Sequence, residues 1–77
     1  MQNRTYKTKD IGVSAMLLTL GIPLIKTQRS GETVFFEFEE NEKCKELSNQ
    51  YWFGNCLVNA RDFHQNLGIL KGQIFRG

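Results

Sequence analysis

The sequence predicts a small α+β domain, in which a β-hairpin with a short leading strand is packed by three helices in the order β-α-β-β-α-α. Three observations carry this. Two extended runs meet at a Ser30-Gly31 turn signal, one helical period ends at Gly21-Ile22-Pro23, and a second helical period opens at a capping residue, Asn59. The chain of 77 residues has room for one core, which makes residues 1–77 a single domain.

The elements follow in order. Thr5 and Tyr6 suit extended structure, so Arg4 to Lys7 reads as a short edge strand. Thr8 reads as a helix N-cap, with Asp10 in the first turn where the helix dipole favours an acid. Val13, Met16, Leu17 and Leu20 recur at the spacing of one buried helix face. Gly21 stands where a left-handed residue ends a helix, and Pro23 prevents continuation. The hairpin then spans about Ile22–Gln28 and Glu32–Glu39. A two-residue Ser30-Gly31 turn would set Ile25 opposite Phe36, Thr27 opposite Val34 and Pro23 near Phe38, giving one apolar face. The opposite face would pair Leu24 with Glu37, Lys26 with Phe35 and Gln28 with Thr33, leaving Phe35 as its odd apolar member.

Asn41 reads as the N-cap of a second helix that buries Cys44, Leu47 and Tyr51 and ends near Gly54. The third helix has the clearest start. Asn59 is its N-cap, Asp62 stands at the third helical position, and Val58 can pack on Phe63 as a hydrophobic staple. Phe63, Leu67, Leu70 and Ile74 continue its buried face, while Gly68 and Gly72 fall one turn apart on the other side.

Composition excludes several classes. A hydrophobic fraction of 40% with six Phe, one Trp and two Tyr suffices for a core, and 23% charge with one Pro argues against disorder. The apolar stretch from Val13 to Leu20 is too short to span a bilayer, and Met1-Gln2-Asn3-Arg4 leads into charged residues, so neither membrane insertion nor a signal peptide is expected. Cys44 and Cys56 are too few for a disulfide scaffold and read as reduced thiols in a cytoplasmic protein. Net charge is +2, in a basic–acidic–basic order. Arg4, Lys7, Lys9, Lys26 and Arg29 come first, then Glu37, Glu39, Glu40, Glu42 and Glu46, then Arg61, Lys71 and Arg76.

No catalytic or metal-binding constellation emerges. Cys44, Cys56 and His64 lack the spacing of a zinc site, a Cys56–His64 pair lacks an orienting third group, and Glu37, Glu39 and Glu40 read as a solvated edge. The seven glycines are scattered rather than gathered in a phosphate loop. Neither enzyme nor cofactor is expected, and no small-molecule ligand is evident.

Two binding classes remain. Protein–protein association, with a second copy or a partner protein, would use Phe35, Trp52, Phe53, Gly68 and Gly72. Tyr51, Trp52 and Phe53 are consecutive, so no helix face buries all three. At least one is either a lid on the core or an interface aromatic. Gly68 and Gly72 are either a tolerated pair or a place of close helix approach. Nucleic-acid binding is the alternative. Phe35 would stack a base while Lys7, Lys9, Lys26 and Arg29 meet phosphate, with Glu37 and Glu39 opposing a continuous track. The bland alternative for Phe35 is cover by the N-terminal segment or a second protomer. Association is the favoured reading.

Tyr6-Lys7-Thr8-Lys9-Asp10, the strand Val34-Phe35-Phe36-Glu37-Phe38-Glu39 and the helix start Leu57-Val58-Asn59-Ala60-Arg61-Asp62-Phe63 together resemble a family of short uncharacterised domains from bacterial and phage genomes. The resemblance implies an intracellular, phage-linked accessory protein; a phage-type inhibitor of a host protein is one specific form of the association reading, with no motif to test it. The resemblance carries no functional residues across.

Overall fold

The computed structural model describes residues 4–54 and 56–76. The chain runs β1 (Tyr6–Thr8), α1 (Ile11–Thr19), β2 (Leu24–Ser30), β3 (Thr33–Phe38), α2 (Asn41–Trp52) and α3 (Ala60–Arg76). The strands form an antiparallel sheet ordered β1-β3-β2, with β3 in the centre. This is the α+β order that the sequence predicts. No helix among the described residues is long and apolar enough to cross a membrane.

β1 lies later than expected, at Tyr6–Thr8, and the N-cap of α1 is Asp10 rather than Thr8. The Asp10 carboxylate accepts from the Val13 amide at 2.9 Å, while the Thr8 hydroxyl oxygen accepts from the Asp10 amide at 3.1 Å. Both residues suit a cap; the carboxylate also carries a charge that the helix N-terminus favours. α1 ends in a Schellman motif, with Gly21 at φ +90°. The Ile22 amide donates to Leu17 and the Gly21 amide to Leu18, each at 3.0 Å.

The expected single buried face of α1 is too narrow. Val13, Met16 and Leu17 are buried, but so are Ser14 and Ala15, whereas Leu20 is exposed. The reason is enclosure: α1 packs on α3, α2 and β1 at once. Buried Ser14 is tolerated because its hydroxyl donates to the Asp10 carbonyl at 2.8 Å.

The hairpin turns one residue later than its signal suggests. Ser30 pairs with Thr33, so the turn residues are Gly31 and Glu32, with Gly31 at φ +64°. A Ser30-Gly31 turn of type I′ would require positive φ at Ser30, whereas type II′ needs it only at its first residue, and glycine takes that place. Register consequently shifts by two. Thr27 pairs with Phe36, Arg29 with Val34, Gln28 with Phe35 and Lys26 with Glu37. A bulge between Leu24 and Lys26 then brings Leu24, not Pro23, opposite Phe38. Ile25 is the bulged residue and is 44% exposed, so it leaves the apolar face to which it was assigned. β3 alternates as expected, with Val34, Phe36 and Phe38 buried. Each fully buried Phe contributes roughly 1.5–3 kcal/mol relative to exposure.

α2 starts at Asn41, with Glu40 as N-cap in the left-handed region at φ 60° and without a side-chain capping bond. The expected cap, Asn41, is instead the first helical residue, its amide donating to the Arg4 carbonyl at 3.0 Å. Cys44 and the unexpected Ser48 are buried, and Leu47 and Tyr51 pack beside them. Ser48 is satisfied by the Tyr6 hydroxyl at 3.0 Å, a contact that ties α2 to β1. Gly54 at φ +81° terminates the helix as predicted. α3 also begins as predicted, the Asn59 side-chain oxygen accepting from the Asp62 amide at 2.9 Å. Leu70 is fully buried, while Phe63, Leu67, Ile74 and Val58 pack against the core.

Candidate functional site

Two surfaces carry the residues singled out by sequence. The first is the face of β3 that points away from the core. Thr33, Phe35 and Glu37 lie on it, each half-buried. Their β2 partners on that face are Ser30, Gln28 and Lys26, and Lys7 of β1 pairs with Glu37 from the other side. Phe35 therefore sits mid-way along the central strand, opposite Gln28 and diagonal to Lys26, rather than opposite Lys26 as the expected register had it.

Lys7 and Lys26 bracket Glu37 across three strands, and Lys26 Nζ lies 4.0 Å from Glu37 Oε1. At this distance, with the lysine end open to solvent, the pair adds little stability. It does compensate the acid expected to repel a phosphate chain. Lys9, exposed, follows directly after β1. Arg29 is not part of this surface. It pairs with Val34 on the core-side face, and its guanidinium donates to the Ile74 carbonyl in the last turn of α3. That carbonyl has no intrahelical partner, and a cation there suits the negative helix end. Arg29 thus belongs to the fold.

The second surface is the α2–α3 turn. Tyr51 faces inward, with its hydroxyl beside Gly12 of α1. Trp52 meets Tyr51 edge-on at 5.2 Å and is 63% exposed; Phe53 is 78% exposed. Neither forms a lid. Leu57, which sequence reasoning passed over, is 89% exposed in the same connection. Its signal was an apolar residue stranded between the Gly54 terminator and the Asn59 cap. Gly68 and Gly72 lie apart from both surfaces on α3, with nothing within 4 Å of a side chain built at either. Exposed Ile69 and Phe75 flank them on the helix.

The titratable groups are dispersed. Cys44 is buried and donates to the Glu39 carbonyl at 3.2 Å. Burial, then the Glu40 carboxylate, push its thiol from 9.0 up to about 11, which makes it a poor nucleophile. Cys56 is a half-buried free thiol and His64 is exposed. Among the described residues, no group of three or more His, Cys, Asp and Glu side chains could hold a metal ion.

Residues 3–76 match a family described as a domain of unknown function (DUF5659). The chain belongs to this family. Neither the curated proteins nor the solved structures yield a match. Membership spans both surfaces, from Lys7 through Phe35 to Trp52 and Leu57, so neither is an appendage to the family's domain. The two differ in chemistry. One is polar, charged and centred on one aromatic ring; the other is apolar and stands on a helix end.

Proposed function

We propose that the domain is a non-enzymatic binding module that associates with another protein through Trp52, Phe53 and Leu57. One observation supports this above the others: three large apolar side chains, at 63%, 78% and 89% exposure, stand between the last residue of α2 and the start of α3. Exposed apolar clusters mark interaction sites, and aromatic residues anchor interface cores. Tyr51 meets Trp52 edge-on, which orders that ring as an anchor. Two free thiols, one deeply buried, suit a reducing cytoplasm. An accessory protein of bacterial or phage origin is the setting that the sequence resemblance favours.

Site-specific photo-crosslinking tests the proposal. A benzophenone amino acid placed at Trp52 or Phe53 in cells should give a discrete adduct, with a second copy or with one partner. The same probe at Gln65 or Gln73, exposed on α3, should not. Equal adduct yields at all four positions would remove the assignment.

A further inference from the structure

We propose that the outer face of the sheet binds single-stranded nucleic acid, with Phe35 stacking one base and Lys7 and Lys26 meeting the flanking phosphates. Along β3 the core-facing residues Val34, Phe36 and Phe38 are buried, whereas the outer residues Thr33, Phe35 and Glu37 are only half-buried. The face presents one aromatic ring at mid-strand, bordered by Lys7, Lys26, Gln28, Ser30 and Thr33.

Its composition selects the occupant. Protein interface cores are depleted in Lys, Glu and Ser, and this face carries Lys7, Lys26, Glu37 and Ser30, so a protein is the poorer fit. A single strand offers what the face lacks: a flat ring for Phe35 and phosphates for the lysines. Gln28, Ser30 and Thr33 add donors and acceptors for base edges. Lys7 and Lys26 stand on opposite edge strands, about 10 Å apart by strand spacing. Glu37 lies between them, 4.0 Å from Lys26 Nζ and cross-strand from Lys7, so the row of Lys7, Glu37 and Lys26 is net positive, and exposed Lys9 adds a further cation beside β1. Arg29 is excluded, because its guanidinium is committed to α3. The surface is separate from the Trp52–Phe53 turn, and the two proposals stand or fall independently.

The test titrates the full chain into fluorescein-labelled oligothymidylate and oligouridylate, read by anisotropy between about 20 and 200 mM KCl. Two or three phosphate contacts predict a slope of log K against log[KCl] of about −1.5 to −2. Phe35→Leu, which keeps bulk but removes the ring, should weaken binding roughly 5- to 100-fold. Lys7→Gln and Lys26→Gln should each reduce the slope by about 0.7, while Gln73→Ser, at an exposed position of α3, should change nothing. Should Phe35→Leu not fold, amide shift perturbation of the unaltered chain decides. Shifts centred on Lys7, Lys26, Gln28 and Phe35 support the site; shifts elsewhere, or none, overturn it. Absence of binding at the lowest salt, equal affinity for duplex, or indifference to Phe35→Leu in a folded variant would also overturn it.

Discussion

Replacing Gly12 by alanine should destabilise the domain, although alanine is the better helix former. Gly12 sits in the first turn of α1 at a helical φ, so its conformation alone does not require glycine. Its space does. A methyl built there falls well inside contact distance of the Tyr51 hydroxyl oxygen, and lies 3.2 Å from both Tyr51 Cζ and Asp10 Oδ1. Tyr51 cannot yield freely, because its ring is rigid, is partly buried against the core and carries Trp52 on its edge. Overpacking of this kind costs about 1–3 kcal/mol, and the helix propensity of alanine returns at most about 1 kcal/mol. The net is a loss of about 1 kcal/mol, or roughly 4–8 °C in Tm for a domain of this size. Urea unfolding followed by circular dichroism measures it directly. Tyr51→Phe removes the oxygen that makes the closest contact, so in that background Gly12→Ala should cost markedly less, the 3.2 Å approaches to the ring Cζ and Asp10 Oδ1 remaining. The double-mutant cycle should then return a coupling of about 1–2 kcal/mol. A stabilising Gly12→Ala in the unaltered chain, or a coupling below about 0.5 kcal/mol, would refute the reasoning.

The other glycines of helix interiors give the opposite sign. Gly68→Ala and Gly72→Ala meet nothing within 4 Å, so each should raise the unfolding free energy by about 0.5–1 kcal/mol, visible as a higher Tm. Asn59→Ala removes the acceptor for the Asp62 amide and should lower stability by about 1 kcal/mol in urea titration. Cys44 makes stability fall at alkaline pH. Its folded-state thiol is raised from 9.0 to about 11, so the fold keeps a proton that the unfolded chain releases. That contribution is fully present below pH 9 and is lost as pH rises through about 11, a loss of up to roughly 2–3 kcal/mol. Unfolding titrations across that window should show a steeper decline for the native chain than for Cys44→Ala.

Much of the fold could be read because its signals are local. Helix periods, glycine terminators and the Asn59 cap depend on residues within one or two turns, and each appears where predicted. What failed was decided by competition or by distance. Thr8 and Asp10 both suit a cap, and the added charge on Asp10 is what separates them. Leu20 has the right spacing for the core, yet α1 is enclosed by α2, α3 and β1, and enclosure buries Ser14 and Ala15 in its place. Arg29 is the clearest case: as a cation beside a turn it reads as a ligand contact. Only the fold brings it to the α3 carboxyl end, where it bonds Ile74.

The hairpin shows why a misplaced turn damaged the candidate site less than the core. Moving the turn from Ser30-Gly31 to Gly31-Glu32 shifts the cross-strand pairs between the turn and the bulge by two residues, and strand side chains alternate with period two. A shift of one would have exchanged the two faces of β2 relative to β3; a shift of two leaves Lys26 and Gln28 on the same face as Phe35 and changes only which residues stand opposite. Those neighbours carry the chemistry. In the expected register Lys26 sat against Phe35, and Glu37 lay opposite Leu24 as an uncompensated acid. In the structure Lys26 and Lys7 both pair with Glu37, and Phe35 gains Gln28. Of the two acids that argued against a phosphate track, Glu37 therefore stands between two cations, while exposed Glu39 lies beyond the end of β3. Reading a sheet face from sequence thus requires two separate determinations, parity for which side chains face out and turn type for what stands beside them.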